Sequence, residues 1–442
     1  MSKLYDVAVL GGDDPGSWLC AAVFAKSDLR VALIFDQPPY DGVPPFFQSL
    51  CDPCRSRLLV DPLGVRPCRG PGLPFAPDFQ VIINGRPVDF TASPVHAERN
   101  MERDFRDHAG LFHRKSQELA EMAEVFIDRA REKNFPDLRP GTFGELFPSR
   151  KPKIDKELAG VSFGEWASDL PPLLKHVFRG VTSPGLGAVV EDTAPLLQAA
   201  LLWHTARSLS PEQESDVTDL REDAAHQIAR RGAVMEATPE ALLYTGRTLY
   251  GVRLARGAII DTRMLVCPSR LFYRMWTSES KRPAFPERTS RKTWFLKIER
   301  NTLPESLCSR ALIIDDEASP GSMILMTRAP RVPRRDTVCV TFYGNEDIES
   351  EDEVISRLTS SLSWLDPAMV SVDDTREPVL KKQPAPSSDL LSPYVPKLPL
   401  WNVLVHPAEV LPSWGPLGTA LSLMSLREKA MQILQKLKKR RS

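Results

Sequence analysis

The chain has 442 residues, enough for the core of two or three domains. Hydrophobic residues make up 42% and charged residues 26%, the composition of a soluble globular protein. Formal net charge is zero, so no global field draws the chain to nucleic acid or to anionic lipid.

No apolar run approaches the ~18–20 residues that a membrane span needs. The opening "MSKLYDVAVL" enters a strand-like pattern without the n-region and h-region of a secretory signal. A cytoplasmic location is the default expectation. Seven cysteines, odd in number and widely spread, do not form the pattern of a disulfide framework. Forty prolines cluster at 38–77, 283–286, 329–333 and 384–399, which predicts loops or extended segments there.

In chain order, Val7 to Leu10 is a short apolar run of the kind found in buried parallel strands. A helix is predicted from Pro15 to Lys26, apolar through Trp18, Leu19, Ala22, Val23 and Phe24. "RVALIFD" is a second buried strand ending on an acid. Strand, tight loop, helix and strand within about 30 residues make a β-α-β crossover unit. "FQVIINGRPVDF" (79–90) is a hairpin around Asn84-Gly85, a favoured turn pair. The following segment spaces Met101, Phe105, Phe112, Leu119, Met122, Phe126 and Ala130 for one long amphipathic helix or a helix pair. Residues 162–208 look helical, with a break at "TSPGLG". Residues 221–269 read as helix, Gly, short strand, then two strands joined by Thr245-Gly246. Arg256-Gly257 turns the chain into "AIIDTRMLVCPS", another buried strand. Further strands are expected at "TWFLKIE", "ALIID", "SMILMT" and "TVCVTFYG", a helix at 351–364 and a Pro-rich excursion at 371–399. Last come a strand in "LWNVLV", a Gly/Pro turn and a helix carrying Leu423, Leu426, Ala430, Ile433 and Leu437 on one face.

Three stretches in this order resemble the FAD-dependent oxidoreductases of the phytoene desaturase and amine oxidase group. They are the N-terminal β-α-β unit with the hairpin after it, "LYGVRLARGAIIDTRMLVCPS", and "VLPSWGPLGTALSLMSLREKAMQIL". Three ordered matches are more specific than a lone glycine motif. The resemblance implies an α/β protein: a discontinuous Rossmann-like FAD-binding domain with an inserted α+β substrate domain. The cofactor domain is assigned residues 1–78, 221–270 and 398–442, the last including the basic tail. The substrate domain is assigned 79–220 and 271–397. The expected cofactor is FAD.

The family's loop works through three glycines, for the tight turn, for close approach to the pyrophosphate and for helix packing. Here residues 11–16 read G-G-D-D-P-G. The resemblance assigns Gly11, Gly12 and Gly16 to this loop and Asp36 to the ribose. Val234, Glu409, Gly415 and Gly418 complete the cofactor set. Asp13 occupies the second glycine's place. A carboxylate at ~4 Å from a phosphate charge costs about 4 kcal/mol at an effective dielectric of ~20. A helix N-terminus returns only ~0.3–2 kcal/mol to an anion. If Asp13 faces the ligand, affinity falls by roughly a thousandfold; if it turns outward or meets an Arg, the site survives. Asp14-Pro15 is a good N-cap and N1 pair, so either aspartate is placed to take the N–H groups that a pyrophosphate uses. Near the C-terminus, Pro407 and Ala408 stand where the family has a Gly-acid pair, with Glu409 one position late. The "GGR"-like stretch expected after the second strand is missing from "DQPPYDGVPPF". Departures in three cofactor motifs point to FAD binding that is weakened or lost.

Cys51 and Cys54 have CxxC spacing with Cys68 nearby, but no second CxxC or His pair completes a zinc set. Reduced loop cysteines are the preferred reading, and no metal is expected. His108, His113, His176, His204, His226 and His406 lack ligand spacing. Trp203-His204 and Trp414 are pocket candidates, with buried aromatics the commoner alternative. No catalytic residue is assigned, since in such enzymes the flavin carries the chemistry. Two functions remain open. One is a divergent FAD-dependent oxidoreductase acting on an apolar or amine substrate. The other is a pseudoenzyme that keeps the fold as a binding or assembly subunit. The expected partner is an apolar small molecule or a protein, not nucleic acid. The tail "KLKKRRS" is read as a solvated end with cations favoured at a helix C-terminus, or as a weak membrane-surface contact.

Overall fold

Two runs of branched aliphatic residues set the centre of the molecule. β1 (Val7–Gly11) and β2 (Val31–Phe35) are buried at every position and pair in parallel from Val7↔Val31 to Gly11↔Phe35. Continuous burial rather than alternation is what a parallel strand covered on both faces requires. α1 (Pro15–Lys26) connects them, with the predicted bounds and with proline at the first helical position, where its missing N–H is least felt.

The computed structural model describes residues 4–11, 15–35, 79–83, 85–90, 94–132, 160–186, 190–207, 222, 224–267, 287–298, 302–304, 306–308, 310–314, 323–328, 337–343, 350–375, 377–384, 400–405 and 430–435. β5 (Ala233–Glu236) adds to β2 in parallel, β9 (Leu265–Cys267) adds to β1, and β16 (Val403–Val405) adds to β9. The sheet order is β16-β9-β1-β2-β5. In order of appearance, that is fifth, fourth, first, second, third: the doubly wound arrangement.

One face of this sheet carries α1 and the helical segments 224–229 and 430–435. Trp18, Phe24, Ile228, Ala430 and Ile433 there cover Val7, Val9, Val31 and Leu33. Each fully buried side chain of this size contributes about 1.5–3 kcal/mol. The other face carries an antiparallel meander of β6 (Pro239–Thr245), β7 (Thr248–Leu254) and β8 (Ile259–Asp261), whose Leu249, Val252 and Leu254 cover Ala8, Leu10, Ala32 and Ile34. Left-handed Arg256 and Gly257 (φ 70° and 81°) turn β7 into β8. "AIIDTRMLVCPS" is therefore two strands in two sheets. β8 belongs to the meander and β9 to the parallel sheet. Between them Thr262 Oγ1 donates to Met264 O at 2.8 Å and Arg263 pairs with Asp6.

A second sheet is formed from β3 (Phe79–Ile83), β4 (Arg86–Phe90), β10 (Glu287–Ile298), β11 (Arg310–Ile314), β12 (Met323–Arg328), β13 (Thr337–Tyr343), β14 (Val370–Val372) and β15 (Val379–Pro384). Its order is β14-β10-β13-β12-β11-β3-β4, with β15 also on β10. The β3–β4 hairpin turns through left-handed Gly85 (φ 75°) as its sequence predicts. Within the segment read as a Pro-rich excursion, 371–399, the chain instead makes edge strands on β10. Proline is tolerated at such an edge because no ladder donor is needed on the outer side.

Helices cover one face of this mixed sheet. They are α2 (Pro94–Asp104), α3 (Arg106–Glu132), the short α4 (Phe163–Trp166), α5 (Pro172–Leu186) and α6 (Leu196–Arg207). α2 and α3 are the predicted helix pair, divided at Phe105. The rings of Phe90, Phe112, Phe178 and Trp203 meet with centroids 4.7–6.3 Å apart, which makes Trp203 core rather than a pocket wall. α5 continues through Pro184 and Gly185 to Leu186, beyond the predicted break. Proline in the last turn sacrifices one helix bond, and Thr182 and Ser183 donate back to Phe178 O and Arg179 O in the turn before it. α7 (Glu351–Ser361), capped by Ser350, covers the other face.

Candidate functional site

In an open α/β sheet ligands bind beyond the carboxyl ends of the strands, where the winding reverses. That point lies between β1 and β9. Gly11 ends β1, Phe35 ends β2 and Glu236 ends β5, and the three are register partners in a row. On the other side Val405, the last residue of β16, pairs with Cys267, the last of β9. Only residues 12–14 separate Gly11 from the start of α1, so the helix N-terminus opens onto this edge.

Gly16 is the second residue of α1. Pro15 before it has no N–H, so the first turn offers an anion one donor fewer. Two residues on, the Trp18 ring lies 5.7 Å from that of Phe35 and closes the floor between α1 and β2. Cys20 and Cys267 are buried. Burial first, and the nearby Cys20 second, push the Cys267 thiol well above its ordinary range, so it stays protonated and is no nucleophile. Val234 sits on β5 opposite Leu33 with its side chain exposed.

Of the residues assigned to the cofactor, the structure thus brings Gly11 and Val234 to one sheet and places Gly16 in the first turn of α1. Gly12, Asp36, Glu409, Gly415 and Gly418 lie outside the described residues, as do Asp13, Asp14, Pro407, Ala408, Trp414, His406 and the Cys51, Cys54 and Cys68 set. His113 pairs with Glu98 on the surface. Among the described residues no group of three or more His, Cys, Asp or Glu is placed to hold a metal, and no helix is long and apolar enough to cross a membrane.

Sequence reading missed Asn402. Wholly buried beside β16, it accepts from Leu249 N at 2.9 Å and donates to Leu249 O at 2.7 Å and to Arg263 O at 2.8 Å. It ties the meander and the β8–β9 link to the strand from which the chain leaves toward Glu409. Its partners are 153 and 139 residues away, and no local pattern marks it.

On the helix-covered side of the mixed sheet, the face changes character along the sheet. Under the helices it is aliphatic: Val81, Ile83, Val88, Leu312 and Ile314. Along β10 and β13 it carries Phe295 and Cys339 beside a buried Thr293–Thr341 hydroxyl pair at 2.8 Å.

No protein-family model matches the chain, and no curated protein matches it. Solved structures do. A triple mutant of putrescine oxidase with redesigned cofactor binding superposes with a TM-score of 0.60 at 12% identity, over 98% of this chain and 99% of that one. Cyclohexylamine oxidase from Brevibacterium oxydans gives 0.53 at 13% identity, over 98% and 99%. An oxidoreductase from Methanosarcina mazei gives 0.55 at 12%, over 96% and 100%. The chain has the Rossmann-like fold of FAD-binding oxidoreductases. The likeness spans nearly the full length on both sides, so both sheets belong to the shared fold.

The Rossmann frame fits FAD: strand order, a buried glycine at the end of β1 and a helix start four residues later. The donor set at that helix start fits less well, because Pro15 contributes none.

Proposed function

We propose that this protein is a divergent FAD-dependent oxidoreductase of the amine oxidase type whose hold on the flavin is weakened at the pyrophosphate loop. The observation that supports this most is the three-residue link from Gly11 to Pro15 at the winding reversal, where a dinucleotide would meet β1 and α1. In this reading residues 1–78, 221–270 and 398–442 form the cofactor domain, and 79–220 with 271–397 the substrate domain. Gly11, Gly12 and Gly16 flank the pyrophosphate, Asp36 takes the ribose, Val234 lies beside the nucleotide, and Glu409, Gly415 and Gly418 follow β16 toward the flavin. FAD, when bound, supplies the hydride acceptance. The chain's own part is to position it and to hold an apolar or amine substrate.

A second reading, a flavin-free binding or assembly subunit, is favoured by Pro15 in the first turn of α1 together with the aspartates before it. The two are separated by the visible spectrum of the purified protein and by flavin released on heat denaturation. Flavin near one per chain supports the enzyme. A protein that stays colourless after soaking with FAD leaves the subunit reading.

A further inference from the structure

The meander of β6, β7 and β8 covers the parallel sheet with one face, through Leu249, Val252 and Leu254, and turns the other outward. On β7, Gly251 pairs in register with Leu243 of β6, and Arg253 pairs with Ile259 of β8, so these four residues share the outward face. A Cβ on Gly251 would lie 3.6 Å from both Leu243 Cδ1 and Ile259 Cγ2, which brings the two aliphatic side chains together over the middle strand. Tyr250 is the extra residue where the β6–β7 register shifts, and it is 49% exposed; Ile259 is 50% exposed.

Of the eight large hydrophobics exposed among the described residues, three lie on these strands: Tyr244, Tyr250 and Ile259. Exposed apolar side chains that gather in this way mark an interaction surface, whereas scattered ones do not. The exposed charges of the meander are Arg247, Arg253, Arg256 and Glu240. None of the three arginines meets an acid among the described residues. Arg247 and Arg256 mark the turns at the two ends of β7, and Arg253 lies between them. Residues 239–261 contain no lysine. Tyrosine and arginine without lysine is the composition of a protein-binding surface.

We propose that the outward face of the meander docks an acidic segment of a partner protein, one that carries apolar side chains between its carboxylates. Charge, spacing and the sheet edge choose this occupant. Three exposed cations to one anion select a negative partner, and a second copy of this chain would set arginine against arginine. Arg253 and Ile259 are cross-strand neighbours, roughly 5 Å apart, so cation and apolar group interleave. A lipid surface suits apolar and charged groups segregated by depth; protein side chains interleave as these do. Pro239 and the register shift at Glu240 interrupt β6 at the edge of the sheet, so the partner meets the face rather than adding a strand. Either reading of the flavin site leaves this surface in place, because the opposite face of the meander is the one that covers the parallel sheet.

The test is fluorescence anisotropy of a labelled random copolymer of Glu and Tyr, titrated with the full chain and with Arg253→Glu, Tyr250→Ser and Arg114→Glu. Arg114 is exposed on α3, outside the meander, and its variant makes the same change of charge. The unaltered chain should bind, and added salt should weaken the complex. Arg253→Glu and Tyr250→Ser should each weaken it about tenfold or more with the melting temperature unchanged. Arg114→Glu should bind as the unaltered chain does. No binding, or equal losses in Arg253→Glu and Arg114→Glu with none in Tyr250→Ser, overturns the proposal. So does binding to phosphatidylglycerol vesicles that Arg253→Glu and Tyr250→Ser abolish, which would give this face to a membrane.

Discussion

Asn402 holds Leu249 by both of its backbone groups, accepting from its N–H and donating to its carbonyl. The side chain thus imitates a strand partner and fixes the meander against the last strand of the parallel sheet. Asn402→Leu keeps the branching at Cγ but strands the Leu249 N–H, the Leu249 carbonyl and the Arg263 carbonyl. At about 1–3 kcal/mol for each buried group left unpaired, the loss is at least ~3 kcal/mol. Denaturant unfolding should show a lower midpoint, and any flavin binding should weaken with it, because β16 delivers the chain to the Glu409 segment.

Gly232 and Gly180 should respond differently to the same methyl group. A Cβ on Gly232 would lie 2.0 Å from Val31 O, a backbone atom of the parallel sheet. A Cβ on Gly180 would lie 2.6 Å from Ile314 Cδ1, the movable end of a side chain. Gly232→Ala should therefore cost ~3 kcal/mol or more, and Gly180→Ala about 1 kcal/mol or less. Paired unfolding curves check this, and equal losses would contradict the packing of β5 on β2.

Asp373 links β14 to β10 and gives the fold an acid-sensitive point. Hydrogen bonding from Lys297, at 2.8 Å, and from Thr375 lowers its carboxyl from 3.8 to about 2. A carboxyl that is more acidic in the folded state stabilises it above the unfolded value, near pH 4. That contribution fades as pH falls toward 2. Lys297 is partly exposed, so solvent screening reduces the contribution to about 1–2 kcal/mol. Asp373→Asn should lower stability at pH 7 and flatten the stability profile between pH 4 and 2, as followed by acid unfolding.

Much of the fold was legible because it rests on local chemistry. The branched runs of β1 and β2, the Pro15 start of α1 and the Gly85 turn all decide their elements within a few residues. Features set by distant partners were not legible. "AIIDTRMLVCPS" reads as one strand, yet it divides because Arg263 meets Asp6 and because β9 must lie between β1 and β16. The strands after Pro367 form because β10 offers them an edge. At the candidate site, glycine spacing located the loop between β1 and α1. Asn402, which holds the last strand in place, carried no signal.

Titration of the purified protein with FAD, beside the Asp13→Gly variant, decides whether the phosphate loop weakens flavin binding. A Rossmann frame weakened by a carboxylate at the phosphate loop predicts that Asp13→Gly binds FAD up to roughly a thousandfold more tightly. Equal and tight binding by both would show that Asp13 does not face the ligand. Failure of both to bind would mean that the frame from Gly11 to Pro15 no longer serves a flavin, and either result would contradict the account.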